Sequence, residues 1–140
     1  MTRQIKEGID WAGYIDWTVR NFHGYRTSRG STYNCYLVRD EHIALIDTVK
    51  APYADIMLQN IAELVNPEEI EFVVCNHAEP DHAGALARIV ERCPNIEVVC
   101  NAKCRDVLSK EYDTAGWRFK IVKDGDSLSL GKRSLTFIET

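Results

Sequence analysis

The stretch Glu71-Phe72-Val73-Val74-Cys75-Asn76-His77-Ala78-Glu79-Pro80-Asp81-His82-Ala83-Gly84-Ala85-Leu86 decides the fold. Its apolar run, Glu71 to Asn76, reads as a buried strand. Ala83 to Leu86 opens an amphipathic helix, because Leu86, Ile89, Val90 and Cys93 recur at i, i+3, i+4 and i+7 before Pro94 ends the pattern. Between strand and helix, His77, Glu79, Asp81 and His82 place four ligand-capable side chains in a short loop anchored at both ends. Such a loop does little for a core and much for a metal. Two imidazoles and two carboxylates suit iron or manganese as well as zinc, whereas thiolates would point to structural zinc or an iron–sulfur cluster. Taken singly, each residue has a plainer reading. Asp81 would cap the helix, Pro80 would stiffen a turn, His77 and His82 would be polar loop residues, and Glu79 a solvated charge. That reading weakens for all four together.

Outward from this unit the chain alternates strand and helix. Residues 8–25, with Trp11, Tyr14, Trp17, Phe22 and Tyr25, read as short strands joined by turns, their aromatics, Trp11 and Trp17 above all, packing into the core. Thr32 to Val38 is β-branched and aromatic, Asp40-Glu41 turns, and His42 to Thr48 returns, which predicts a hairpin with His42 solvated at its turn. Ala51-Pro52 opens a helix to about Val65, with Tyr53, Met57, Ile61 and Leu64 on one face, stopped at Asn66-Pro67. Strands at 96–100 and 119–122 flank a helix over 102–112. Ser127-Leu128-Ser129-Leu130 and Leu135-Thr136-Phe137-Ile138 form a last hairpin, and Asp124-Gly125-Asp126 is a turn rather than a phosphate-binding loop. Hairpins followed by strand–helix units predict an α/β (α+β) fold, a mixed sheet with helices on one face.

With 140 residues the chain can hold one domain with a real core. A net charge of −4 without a basic cluster argues against nucleic acid or an anionic membrane as partner. No apolar stretch approaches the roughly 20 residues of a membrane span, and Met1 to Glu7 lacks the apolar core of a secretory signal. The five cysteines include no C-x-x-C pair. Cys35, Cys75 and Cys100 lie in apolar runs, and Cys93 and Cys104 on apolar helix faces, which predicts buried thiols, no disulfide framework and a cytoplasmic setting. The rival reading, Cys100 and Cys104 as metal ligands, lacks a second pair to complete it.

His77-x-Glu79-x-Asp81-His82 resembles the signature loop of the flavodiiron proteins, or A-type flavoproteins. They are a branch of the metallo-β-lactamase superfamily in which glutamate replaces the usual second histidine. Ile15-Asp16-Trp17, Asn21-Phe22-His23-Gly24-Tyr25, Arg29-Gly30-Ser31-Thr32-Tyr33-Asn34 and Ala44-Leu45-Ile46-Asp47-Thr48-Val49-Lys50 resemble family segments in family order, so the likeness covers essentially the whole chain. It implies that residues 1–140 are the N-terminal part of a metallo-β-lactamase-like αββα sandwich, incomplete at its C-terminus. It also implies that a flavodoxin-like FMN domain lies outside this chain.

By the same resemblance, His77 and Glu79 hold one iron, and Asp81 and His82 the other. Asp47, at a strand end, would accept a hydrogen bond from a ligand histidine and fix its tautomer, its plainer role being a strand-end turn. His23 and Tyr25 would line the substrate pocket, His23 donating a proton or hydrogen bond; the alternative for a loop histidine is structural. A further histidine, a bridging carboxylate and a last histidine are expected beyond Thr140. The complete protein would reduce dioxygen to water, nitric oxide to nitrous oxide, or both, with electrons from a rubredoxin-like donor through FMN. It would be a homo-oligomer. The 140-residue chain alone is expected to hold little metal, bind no FMN, lack reductase activity and self-associate through an uncovered sheet face. Two other classes stay open: a zinc hydrolase of the same fold, which Glu79 disfavours, and a non-enzymatic half-domain that binds a partner.

Overall fold

Period-two alternation through the middle of the chain gives one sheet two different apolar faces. The computed structural model describes residues 1–22 and 24–140. In chain order come β1 (Arg3–Lys6), β2 (Ile9–Trp11), β3 (Tyr14–Asp16), β4 (Asn21–Phe22), β5 (Tyr25–Arg26), β6 (Ser31–Tyr33), β7 (Tyr36–Val38) and β8 (Ile43–Ile46). Then follow α1 (Ala54–Ala62), β9 (Ile70–Val74), α2 (Pro80–Ala83), α3 (Leu86–Arg92), β10 (Glu97–Cys100), α4 (Ala102–Glu111), β11 (Arg118–Ile121), β12 (Ser127–Ser129) and β13 (Ser134–Thr136). The main sheet has the order β1-β2-β7-β8-β9-β10-β11. Its first four strands pair antiparallel, β1 with β2 and β7 with β8 through tight connections and β2 with β7 across the intervening residues 12–35. From β8 to β11 the pairing is parallel, which requires the crossovers that the helices supply.

Leu37, Leu45, Val73 and Val98 face the helices, packing with Met57 and Ile61 of α1, Ala83 of α2, Leu86 and Ile89 of α3, and Leu108 of α4. Their sequence neighbours Val38, Ala44, Val74 and Val99 face the other way. There the β12–β13 hairpin lays Leu128 and Leu135 over the sheet. The mixed sheet with helices on one face is therefore as expected. The second face is partly covered by the hairpin, which leaves a cleft of about 410 Å³ at the carboxyl ends of the strands, bounded by Val74, Val99, Val122 and Phe137. No helix among the described residues is long and apolar enough to cross a membrane.

Three expectations change. Thr32 to Val38 is not one strand. β6 pairs with β3 in a separate ribbon while β7 joins the main sheet. The break at Asn34-Cys35 faces a break at Ala12-Gly13, where a Cβ on Gly13 would lie 2.0 Å from the Tyr33 carbonyl oxygen. Only glycine allows that crossing. The ligand loop is also shorter than expected, because the helix begins at Pro80 and takes in Asp81 and His82. Finally, Trp17 is 64% exposed rather than core. Asp16 points inward, so alternation turns its neighbour out. Trp11 is half-buried and donates from Nε1 to Asn34 Oδ1 at 3.0 Å.

Candidate metal centre

The loops that leave β8 and β9 lie side by side, since these strands are parallel neighbours. Asp47 leaves β8 in the left-handed region, at φ 59°, and is the one non-glycine residue there among the described residues. A short polar side chain tolerates that conformation when its own hydrogen bonds hold it. Asp47 is buried. Its Oδ1 accepts from the Asn76 backbone N–H at 2.8 Å, and its Oδ2 from Asn76 Nδ2 at 3.2 Å. The same Oδ2 lies 2.9 Å from His82 Nδ1.

Thr48 completes the hold on α2. Its backbone N–H and its hydroxyl both donate to the His82 carbonyl oxygen, at 2.9 and 2.6 Å, and its Oγ1 accepts from the Ala85 N–H at 3.3 Å. Gly84 lets this turn press against the chain after β8, for a Cβ there would stand 2.4 Å from the Pro80 carbonyl oxygen and 2.7 Å from the Ala51 nitrogen.

The four loop side chains gather as two imidazole–carboxylate pairs. His82 Nε2 lies 3.3 Å from Asp81 Oδ2, and His77 Nε2 lies 3.8 Å from Glu79 Oε1. The two rings are near-parallel with centroids 5.4 Å apart. Among the described residues no three histidine, cysteine, aspartate or glutamate groups close around a common point. The pairs differ in setting. Asp81 is 12% exposed and His82 37%, against 53% for His77 and 47% for Glu79. The hydrogen bond to Asp47 raises the His82 pKa above the usual imidazole value; burial opposes this, and the negative charges of Asp47, Asp81 and Glu79 add to it. His77 Nδ1 accepts the Glu79 backbone N–H at 3.1 Å, which leaves the ring proton of a neutral His77 on Nε2. The donor set fits a hard or borderline cation, two groups to each pair.

His23 lies outside the described residues. Tyr25 sits in β5 with its side chain 77% exposed. His42 pairs at 2.7 Å with Glu71 and is half-exposed. Sequence reasoning missed Asn76 and Thr48, whose only signal was adjacency to the motif and to Asp47. It also missed an aromatic assembly beside α2. Asp16 accepts from Tyr33 Oη at 2.7 Å, Tyr53 Oη at 3.2 Å and Thr18 Oγ1 at 2.8 Å. Burial works against ionisation of Asp16, yet these bonds hold its carboxyl down at about 2. Lys50 Nζ stands 5.1 Å from the ring centroids of both Phe22 and Tyr33.

A family model described as "ODP family beta lactamase" matches residues 31–140. A nitric oxide reductase of Moorella thermoacetica is 44% identical over 96% of this chain and 34% of its own length. The anaerobic nitric oxide reductase flavorubredoxin of Salmonella arizonae is 41% identical over the whole chain and 30% of its own length. Among solved structures, rubredoxin oxygen:oxidoreductase of Desulfovibrio gigas superposes with a TM-score of 0.95 at 39% identity, over 99% of this chain and 35% of the other. The flavodiiron protein of Giardia intestinalis gives 0.91 at 40% identity, over 96% and 33%. The chain thus spans about a third of the length of the relatives it matches.

Proposed function

This chain belongs to the ODP beta-lactamase family, and from that membership we propose that it forms the diiron-binding part of a flavodiiron oxidoreductase reducing nitric oxide to nitrous oxide, dioxygen to water, or both. The names of the relatives support the oxidoreductase class. The observation that carries the metal assignment is the division of the loop into two imidazole–carboxylate pairs with ring centroids 5.4 Å apart. Each pair offers one nitrogen and one hard oxygen donor, a set suited to iron in both oxidation states.

In this reading His82 and Asp81 hold one iron, and His77 and Glu79 the other. Asp47 accepts a hydrogen bond from Nδ1 of His82, so Nε2, on the Asp81 side of the ring, is the nitrogen that would hold a cation. Asn76 and Thr48 keep Asp47 and α2 in register. His23 and Tyr25 belong to the pocket for the gas, His23 as proton donor. Bound iron would supply the open coordination positions and redox capacity for the reduction. Electrons would come from FMN on a domain beyond this chain and from a rubredoxin-like donor, in a homo-oligomer in the cytoplasm. The buried thiols suit a reducing compartment.

Metal analysis of the protein encoded by the complete reading frame tests this. Two irons per chain and a flavin spectrum are expected. One or two zinc ions with esterase activity and no flavin would replace the reading with a hydrolase.

A further inference from the structure

Beneath the loop lies a group of thiols that the metal reading does not use. Cys75 directly follows β9, Cys100 ends β10, and Cys104 sits in the first turn of α4. The Sγ atoms of Cys75 and Cys104 are 3.7 Å apart, the Cys104 thiol donating to Cys75 Sγ and lying 3.8 Å from the Cys75 carbonyl oxygen. The sulfurs of Cys75 and Cys104 need to close by roughly 1.6 Å to bond, a small movement for two side chains on separate elements. Cys75 and Cys100 border the 410 Å³ cleft at the strand ends and belong, with Cys104, to the helix-side core. Cys104 is the most accessible of the three, at 9%. Its place at the N-terminal turn of a ten-residue helix favours the thiolate.

We propose that Cys75 and Cys104 form an oxidation-sensitive dithiol, closed to a disulfide by hydrogen peroxide, that acts on the backbone of the His77 loop. The Cys104 thiolate attacks one peroxide oxygen, the O–O bond breaks, and the departing hydroxide takes up the thiol proton as water. Cys75 sulfur then displaces hydroxide from the resulting sulfenic acid; the S–O bond breaks, the S–S bond forms, and the Cys75 proton leaves in a second water. Two thiols lose two electrons together and one peroxide becomes two waters. The structural consequence is specific. Cys75 Sγ now donates to the His77 carbonyl oxygen at 3.1 Å, and the disulfide removes that donor and draws Cys75 toward α4. The bond therefore acts two residues before His77. It rests on sulfur geometry alone and stands or falls apart from the metal assignment.

Peptide mapping of the reduced 140-residue chain after mild peroxide treatment tests this. Two of the five thiols should disappear, the intact mass should fall by about 2 Da as one S–S bond replaces two S–H bonds, and one cross-linked peptide should join Cys75 to Cys104. Dithiothreitol should reverse all three changes. The amide resonances of His77 and Ala78 should shift on oxidation and return on reduction. Cys100→Ser should keep the cross-link, and Cys75→Ser should leave a Cys104 sulfenic acid that dimedone captures. Survival of all five thiols, a Cys100–Cys104 link, or irreversible sulfinic acid at Cys104 without a cross-link would each overturn the proposal.

Discussion

The two halves of the His77–His82 segment are built differently, although each contributes one imidazole and one carboxylate. Asp81 and His82 lie inside a helical turn that Asp47 and Thr48 grip from below. His77 and Glu79 lie before it, about half-exposed, and lean on each other. The difference extends to protons. His82 is held with Nδ1 toward a buried carboxylate, so that Nε2, 3.3 Å from Asp81 Oδ2, is the nitrogen that would meet a cation. His77 has its Nδ1 occupied by the Glu79 N–H, so ligation through Nε2 requires that proton to leave and that contact to open. One half is preset by burial; the other has to rearrange. Rigidity here comes from hydrogen bonds to the neighbouring strand's exit, not from the motif residues themselves.

The largest expected effect is at the grip. Asp47→Ala strands the Asn76 and His82 donors and puts alanine at φ 59°, so it should destabilise the fold by about 2–4 kcal/mol in a denaturant titration. In the longer protein, Asp47→Asn should weaken iron retention by roughly 10–100-fold. An unchanged midpoint and unchanged iron content would mean that the Asp81–His82 half is not preset by Asp47.

Gly84→Ala comes next, at about 1–3 kcal/mol by the same titration, since its Cβ would collide with three backbone atoms, of Pro80, Ala51 and Lys50. A neutral outcome would show that α2 can move away from Ala51 freely. Thr48→Val should cost about 1 kcal/mol, because the hydroxyl's bonds to His82 and Ala85 are lost while the backbone bond remains. The smallest effect is at the open half. His77→Ala should change stability by less than about 0.5 kcal/mol, as surface substitutions usually do, while reducing cobalt(II) uptake measured by absorption. A large loss of stability in that variant would erase the contrast between the halves.

Much of this was legible beforehand, for physical reasons. The apolar run before His77 placed β9 within two residues, and the helical spacing after it gave the buried face of α3 but not the break that separates it from α2. Leu128 and Leu135 identified the last hairpin by alternation. Trp17 was misread because an aromatic residue carries no local sign of direction; its exposure follows from Asp16 turning inward to the tyrosines. The ribbon break at Asn34-Cys35 depends on Gly13, a residue more than twenty positions away in the chain.

By itself the sequence determined which chemistry was available. The mixed nitrogen and oxygen donors of residues 77–82, the strand before them, the helix after them and the buried thiols are properties of residue type and spacing. Tertiary structure alone decided which donors meet. The parallel pairing of β8 with β9 brought Asp47 to His82 across 35 residues, and that of β9 with β10 brought Cys75 to Cys104 across 29. Such contacts depend on strand order and register, which local propensity does not encode and which only the closing of the shared core fixes.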